Sequence, residues 1–226
     1  MTKLLRYVKK YSLMMVVAVV LLFGQAILDL NLPNMMSNIV NVGIQKSGIE
    51  EIAPKAVSAQ VFDFLGHFMG AGQKEAALAA YTPYSGLNEQ QQRSAAKTYP
   101  DVEDSTLVLT GSAEQVEAAD LAFGRAGYAC ITMLQELAQQ QGQQADLSSS
   151  GDVTAEFDIE QLLQMAPMLE TPVLQGMIQE YIDRAEQSPD TLTNAVASVL
   201  NKAIYQQLGA DTGKMQTGYI IHTGLI

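Results

Sequence analysis

A run of 17 residues without a charged side chain lies near the start of the chain and constrains the fold most. It extends from Ser12 to Leu28, and ten of the sixteen residues after Ser12 are Leu, Ile, Val or Phe. As a helix with a rise of ~1.5 Å per residue, it is about 25 Å long, slightly less than the ~30 Å hydrocarbon core of a bilayer. Its apolar side chains favour insertion by about 3 to 6 kcal/mol. The run therefore predicts a transmembrane helix.

The charges around this run predict its direction. Four of the 13 basic residues precede it (Lys3, Arg6, Lys9 and Lys10), and all 24 acidic residues follow it. Because basic flanks stay on the cytoplasmic side, we predict a cell-membrane protein with a cytoplasmic N-terminus. Residues from about 31 to 212 are then extracytoplasmic.

The run has two other interpretations. A cleaved signal peptide would fit the basic start and the small-x-small triplet at 24–26, but the run exceeds the usual apolar length, and Leu30 and Leu32 continue the pattern. A buried helix of a soluble protein would leave the four cations at one end unexplained. An uncleaved membrane helix is favoured, and the absence of a cysteine near residue 26 excludes a lipoprotein anchor.

The rest of the chain is strongly acidic. After residue 28, nine basic residues face 24 acidic ones, a net charge of −15. Such a surface repels polyanions, so a nucleic-acid partner is excluded. The single cysteine, Cys130, leaves no internal disulfide and no cysteine-based zinc cluster.

Apolar spacing and capping residues predict a mainly α fold, in which a mostly helical extracytoplasmic domain contains at most one or two short strands. The best strand candidate is Ser105–Thr110, whereas 82–100 is polar and loop-like.

The first predicted helix after the membrane run is 34–44, with a kink or restart at Pro33 and with Gly43 and the pair Ser47-Gly48 as stop signals. A helix with Pro54 in its first turn carries an apolar stripe of Val57, Val61, Phe64, Leu65 and Phe68, and a short helix follows at 73–81. The long helix capped by Ser112 contains Gly124 and Gly127, which predict close packing or a bend. The last three are a helix ending near Pro167, 172–186, and one with Ser188 as cap and Pro189 at its first position, Leu192 on its buried face and Gly209 at its end.

Domain boundaries follow from changes in composition. The last nine residues, GYIIHTGLI, are uncharged and mostly apolar. We interpret them as the opening of a second transmembrane helix, with a packed terminal strand or helix as the alternative. The divisions are a cytoplasmic end and first membrane helix (1–46), a helical subdomain (47–138), a polar flexible linker (139–156), a second helical part (157–211) and the start of the second membrane helix (212–226).

No catalytic, cofactor-binding or metal-ligating residue is predicted. The two histidines, His67 and His222, are far apart, and no nucleophile-elbow sequence is present. The stretch from Gly209 to Met215 superficially resembles a phosphate-binding loop. It has only three residues between its glycines, and Met215 stands where such a loop needs Ser or Thr.

The stretch LDLNLPNMMSNIVNVGI, residues 28–44, resembles the start of bacterial ABC exporters in which permease and ATPase share one chain and the first membrane helix continues through such a segment. The segments 157–169 and 209–226 resemble a branch with a large extracytoplasmic insertion before the second membrane helix. The resemblance implies ATP-driven export by a dimer, with the lipid bilayer and a second half-transporter, identical or different, as partners. ATP and magnesium belong to an ATPase domain with no counterpart in residues 1–226, so this segment is not expected to be an enzyme.

The favoured hypothesis is therefore the N-terminal transmembrane and extracytoplasmic part of an ABC-type exporter permease. The alternative is a single-pass membrane-anchored or secreted extracytoplasmic binding domain without catalysis, and a hydrolase ranks last. A reading frame that continues into further apolar helices would separate the first two.

Overall fold

A computed structural model describes residues 2–44, 46–140, 159–169 and 171–224. The predicted mainly α class is confirmed, because 75% of the chain is helical and 4% is strand. The helices are α1 (Thr2–Asn38), α2 (Ala59–Gly66), α3 (Gln73–Leu78), α4 (Glu89–Thr98), α5 (Ala113–Gln140), α6 (Ile159–Leu169), α7 (Pro172–Gln187), α8 (Asp190–Gln207) and α9 (Thr212–Gly224). A π-helical turn covers Ile39–Ile44, a 3-10 turn covers Tyr84–Gly86, and the strands are β1 (Ala56–Val57), β2 (Tyr81–Pro83) and β3 (Leu107–Leu109).

Helix α1 and the π turn form one continuous helix of 43 residues. Pro33 lies inside it, so the helix does not restart at this residue, and the other predicted outcome, a kink, stays a prediction. Proline removes one backbone hydrogen bond, to the carbonyl of Asp29, and the turns on both sides keep theirs. A single lost bond does not end a helix of this length.

The described residues from 47 to 211 form a compact unit, here called the lobe. Helix α5 is central to it, with α3, α7 and α8 packed against it. The apolar stripe predicted for the second helical segment is buried as expected, in side chains that include Val61, Phe64, Leu65 and Phe68. The lobe thus has a core of its own.

Two glycines allow α5 and α8 to approach closely. A Cβ atom on Gly127 would lie 3.2 Å from the Cα of Ala197, and one on Gly124 would lie 2.8 Å from the Oδ1 of Asn194. The sequence prediction of close packing at Gly124 and Gly127 is confirmed.

A small antiparallel sheet lies beside these helices, with the strand order β1-β3-β2. Val108 is paired with Ala56 on one side and Thr82 on the other. The strand expected within Ser105–Thr110 is confirmed, but the prediction of at most two strands is wrong. The strands β1 and β2 contain two and three residues, too few for an alternating pattern to stand out in the sequence.

Two predicted boundaries are wrong where capping decides the structure. Helix α2 begins at Ala59 and not around Pro54, because the Oγ of Ser58 caps it by accepting from the backbone N–H of Val61 at 3.3 Å. The segment expected to be a loop, 82–100, contains the helix α4. A capping box formed by Asn88 and Gln91 starts this helix.

Smaller differences concern the second half of the lobe. Helix α6 continues past Pro167 to Leu169. Helix α8 has Pro189, and not Ser188, at its N-cap. Leu192, predicted to be buried, is 47% exposed. Gly209 ends α8 with a φ of +75°, as predicted. Most of the predicted linker 139–156 lies outside the described residues, and its first two residues belong to α5.

Candidate functional site

The surface of α1 is the most unusual feature of the molecule. Within the described part of the chain, Leu13–Ile44 is the one helical segment that is long and apolar enough to cross a membrane. Its mean hydropathy is 2.4, and none of its most apolar stretch is buried. Its large side chains, such as Leu22 and Phe23, are mostly exposed. The expected apolar helix near the start of the chain is therefore confirmed. An exposed apolar surface of this size needs an apolar environment or partner.

Helix α9 packs against the C-terminal end of this helix. A Cβ atom on Gly43 would lie 2.9 Å from the side chain of Ile220, and one on Gly48 would lie 2.9 Å from the carbonyl oxygen of Met215. The contacts move forward along α9 as they move backward along the first helix. The two helices are therefore antiparallel, and the missing side chains at 43 and 48 permit their close approach.

The turn at residues 47–48 ends the first helix. Ser47 and Gly48 both have positive φ, +54° and +76°, and the backbone N–H of Gly48 donates to the carbonyl of Val42 at 2.8 Å. This arrangement satisfies one of the last carbonyls of the π turn. The stop signal predicted at these two residues is confirmed.

Buried polar side chains of α8 hold the segment that joins the first helix to the lobe. The Nδ2 of Asn201 donates to the carbonyls of Glu51 and Ile52 at 2.8 and 2.9 Å. The backbone N–H of Lys55 donates to the hydroxyl of Tyr205 at 2.8 Å. Both side chains are fully buried, so these bonds are shielded from water. The connection is an ordered part of the lobe. Sequence reasoning missed it because one polar residue on a helix gives no local sign of a distant backbone partner.

An open cleft of about 700 Å³ lies between the starts of α5 and α8. Its lining combines four carboxylates, one guanidinium and one amide: Glu114, Glu117, Asp120, Asp190, Arg125 and Asn194. Sequence reasoning did not identify this cleft either, because its residues come from two helices about 70 positions apart.

Two charged groups of the cleft, Asp120 and Arg125, differ in their hydrogen bonding. One oxygen of Asp120 accepts a hydrogen bond from the backbone N–H of Ala53 at 2.8 Å. Burial raises the pKa of the Asp120 carboxyl, and the nearby Glu51 and Glu117 raise it further, although the Ala53 bond opposes them. The Nε of Arg125 is buried and has no hydrogen-bond partner.

Among the described residues, no group of three or more His, Cys, Asp or Glu side chains is arranged to hold a metal. His67 places its Nδ1 3.0 Å from the carbonyl of Asp63 in its own helix, and His222 is exposed on α9. Burial raises the pKa of the Cys130 thiol to about 12, so it stays protonated at neutral pH and is a poor nucleophile.

No protein-family model, characterised protein or solved structure matches this chain. The resemblance to ABC exporters therefore stays a prediction.

Proposed function

We propose that this chain is the N-terminal transmembrane and extracytoplasmic part of an ABC-type exporter permease. The observation that carries the proposal is the antiparallel pairing of α9 with the outer end of the first helix, through Gly43 and Gly48. This pairing brings the two chain ends of the lobe together on one side. A large insertion between two consecutive membrane helices requires this arrangement.

The first helix spans the bilayer through residues 12–28, with its basic start in the cytoplasm. The whole helix is roughly 60 Å long, about twice the ~30 Å hydrocarbon core. Its outer half therefore projects from the membrane and holds the lobe away from the surface. The net charge of −15 after residue 28 favours the same placement, because anionic headgroups repel it.

Helix α9 opens the second membrane helix. It runs back toward the bilayer beside the first helix, and residues 218–226 carry no charge. Ile221 is more than half exposed, as expected of a side chain that faces lipid. In the full-length protein, the second half-transporter of the dimer packs beside this helical pair. ATP and magnesium bind in the ATPase domain, outside residues 1–226.

Reporter fusions test the orientation. Alkaline phosphatase fused after residue 100 should be active, and the same enzyme fused after residue 11 should be inactive. A cytoplasmic fluorescent reporter should give the opposite pattern. An active phosphatase after residue 11, or an inactive one after residue 100, would contradict the proposed direction.

The exporter assignment has a separate test in the reading frame after Ile226. It should encode further apolar helices at once and, later, the phosphate-binding sequence Gly-x-x-x-x-Gly-Lys-Ser/Thr. The full-length product should then hydrolyse ATP. A stop codon at position 227 would favour the second candidate, a single-pass anchored or secreted binding domain. The observation that favours this candidate is the core of the lobe, which the lobe forms without α1.

A further inference from the structure

We propose that Asp120 is an acid-responsive latch that holds residues 49–55, here called the connector, to the rest of the lobe. When its carboxyl takes up a proton, the connector is held more tightly, and with it the end of the first helix. This conformational device involves the connector and the lobe alone, so it does not depend on the proposed exporter assignment.

The latch is a hydrogen bond between the connector and α5. The Oδ1 of Asp120 accepts from the backbone N–H of Ala53 at 2.8 Å. Ala53 is fully buried, so water cannot replace the carboxyl as acceptor while the connector is in place. A protonated carboxyl keeps a carbonyl oxygen that can accept the same bond. Asp120 can therefore hold Ala53 in both protonation states, which differ in charge.

The negative charge of the ionised carboxyl is not balanced by a nearby cation. Within the described residues Asp120 forms no ion pair, and Lys55, the cation of the connector, is paired with Glu51 instead. The open cleft beside Asp120 contains one guanidinium against three further carboxylates, namely Arg125 against Glu114, Glu117 and Asp190. The surroundings of the carboxyl are therefore mostly negative.

Two neighbours of Asp120 bear most directly on its charge. Glu117 lies one turn earlier on the same helix, at a spacing where like charges repel. On β2, burial and then the charge of Asp120 raise the pKa of Tyr81 well above its ordinary value, so this phenol stays neutral in the acid range. Proton uptake by Asp120 removes the repulsion from Glu117 and creates no new unpaired charge.

The sign of the response follows from the causes that act on Asp120. Burial raises the pKa of its carboxyl most, Glu51 and Glu117 raise it further, and the bond from Ala53 lowers it in part. A stabilising contribution of this kind is present below the ordinary pKa of an aspartate, about 3.9, and is lost as the pH rises through the raised value.

Opening the connector changes the environment of the carboxyl. Glu51 belongs to the connector, and the connector backbone at Ala53 lies against the carboxyl. Opening therefore removes the Glu51 charge and part of the burial, so the proton is held more tightly while the connector is closed. Acid should shift the connector toward the closed state.

The test is hydrogen–deuterium exchange of the full chain in zwitterionic detergent, with mass spectrometry of peptides that cover the connector. Exchange is measured between about pH 8 and about pH 4 and corrected for the intrinsic rate at each pH. Protection should rise as the pH falls, by at most about tenfold per pH unit, the limit for one proton. Asp120→Asn mimics the protonated carboxyl, so it should show the higher protection already at about pH 8, and its difference from the original protein should disappear in acid.

Three further variants separate charge from bonding. Asp120→Ala removes the acceptor as well and should leave the connector less protected at every pH. Glu117→Gln removes one repelling charge and should move the response to lower pH. Glu136→Gln is the matched control, since it neutralises another carboxylate of α5 about 24 Å along the helix and should leave the response of the connector unchanged.

Two outcomes would overturn the proposal. The first is connector protection that does not change with pH, or that changes in Asp120→Asn as much as in the original protein. The second is lower protection in Asp120→Asn than in the original protein at neutral pH, because the ionised carboxyl would then hold the connector more tightly than the neutral one.

Discussion

The same types of apolar residue are exposed in the first helix and buried in the lobe. Val17 and Val20 in α1 are 49% and 63% exposed, whereas Val57 and Val61 in the lobe are 0% and 2% exposed. In α1 the apolar residues are continuous around the helix, so no single neighbour can cover them. In the lobe they form stripes, and each stripe has a neighbouring element to cover it.

Continuity of the apolar pattern around a helix decides which environment that helix needs. The lobe carries its own apolar interior, whereas the described residues leave the apolar surface of α1 uncovered. The two regions should therefore respond independently to substitution.

The largest effect is expected for Val17→Lys combined with Val20→Lys. Each central lysine opposes insertion by about 2.5–3.5 kcal/mol, so together they cancel the favourable contribution of the whole run. The double variant should leave the membrane fraction in a flotation assay, while the lobe keeps its circular dichroism spectrum. Val17→Leu with Val20→Leu is the control and should float like the original protein. A double lysine variant that remains in the membrane fraction would contradict the proposed span.

The next largest effect is expected for Ile204→Ala, which changes the core of the lobe and leaves α1 as it is. Ile204 is fully buried, so its truncation should lower the free energy of unfolding of the lobe by about 2–5 kcal/mol. Denaturant titration measures this loss, and membrane insertion should be unchanged. Leu78→Ala removes a side chain that is 45% exposed and should have little effect. A large effect of Leu78→Ala would show that the surface of the lobe is covered by another molecule.

A smaller effect is expected where the two regions join. Gly48 and Gly72 have the same positive φ, +76° and +77°, so alanine at either position costs about 1–2 kcal/mol. Only Gly48 also lies against α9, with the Met215 carbonyl 2.9 Å from the added Cβ. Gly48→Ala should therefore destabilise the protein more than Gly72→Ala in a thermal melt. Equal effects would argue against close packing of α9 at this point.

The smallest effect concerns a group of three surface residues that links α5 and α7. The hydroxyl of Tyr181 and the Nη1 of Arg184 each donate to the Glu136 carboxylate at 2.7 Å. These bonds lower the pKa of Glu136 in the folded state, Tyr181 most and Arg184 next. The stability they contribute is present above the ordinary pKa of this carboxyl and is lost as the pH falls through the lowered value.

Glu136→Gln should therefore lower the melting temperature slightly at neutral pH, and the difference from the original protein should disappear in acid. Both charged side chains are more than two-fifths exposed, so added salt should also reduce the difference. A difference in melting temperature that grows as the pH falls would show that the hydrogen bonds to Glu136 are not its cause.

Much of the lobe could be predicted because its long helices have clear apolar stripes. Helix α5 is confirmed from its cap at Ser112, where Ser112 and Gln115 bond to each other's backbone. The helix within 82–100 was not predicted because α4 buries only Ala95 and therefore has no apolar stripe. The capping box of Asn88 and Gln91 can be recognised in the sequence, but no apolar stripe follows it to indicate a helix.

The candidate sites were predictable only in part. Gly43 and Gly48 could be predicted as helix stops, but the helix continues through Gly43 to Ile44. The contact of both glycines with α9 joins residues about 170 positions apart. The role of Asn201 depends on the carbonyls of Glu51 and Ile52, about 150 positions away in the sequence. Local patterns report the element in which a residue lies, whereas these roles depend on the packing between elements.

The contact of Gly48 with Met215 also has an evolutionary consequence. The segment between these two residues leaves the helical pair and returns to it at neighbouring points, so it could be exchanged as a unit. A short loop, or an unrelated small domain whose ends are equally close, could be grafted there without changing the spacing of the helices. Related chains could therefore differ greatly in size at this position while the helices beneath stay alike.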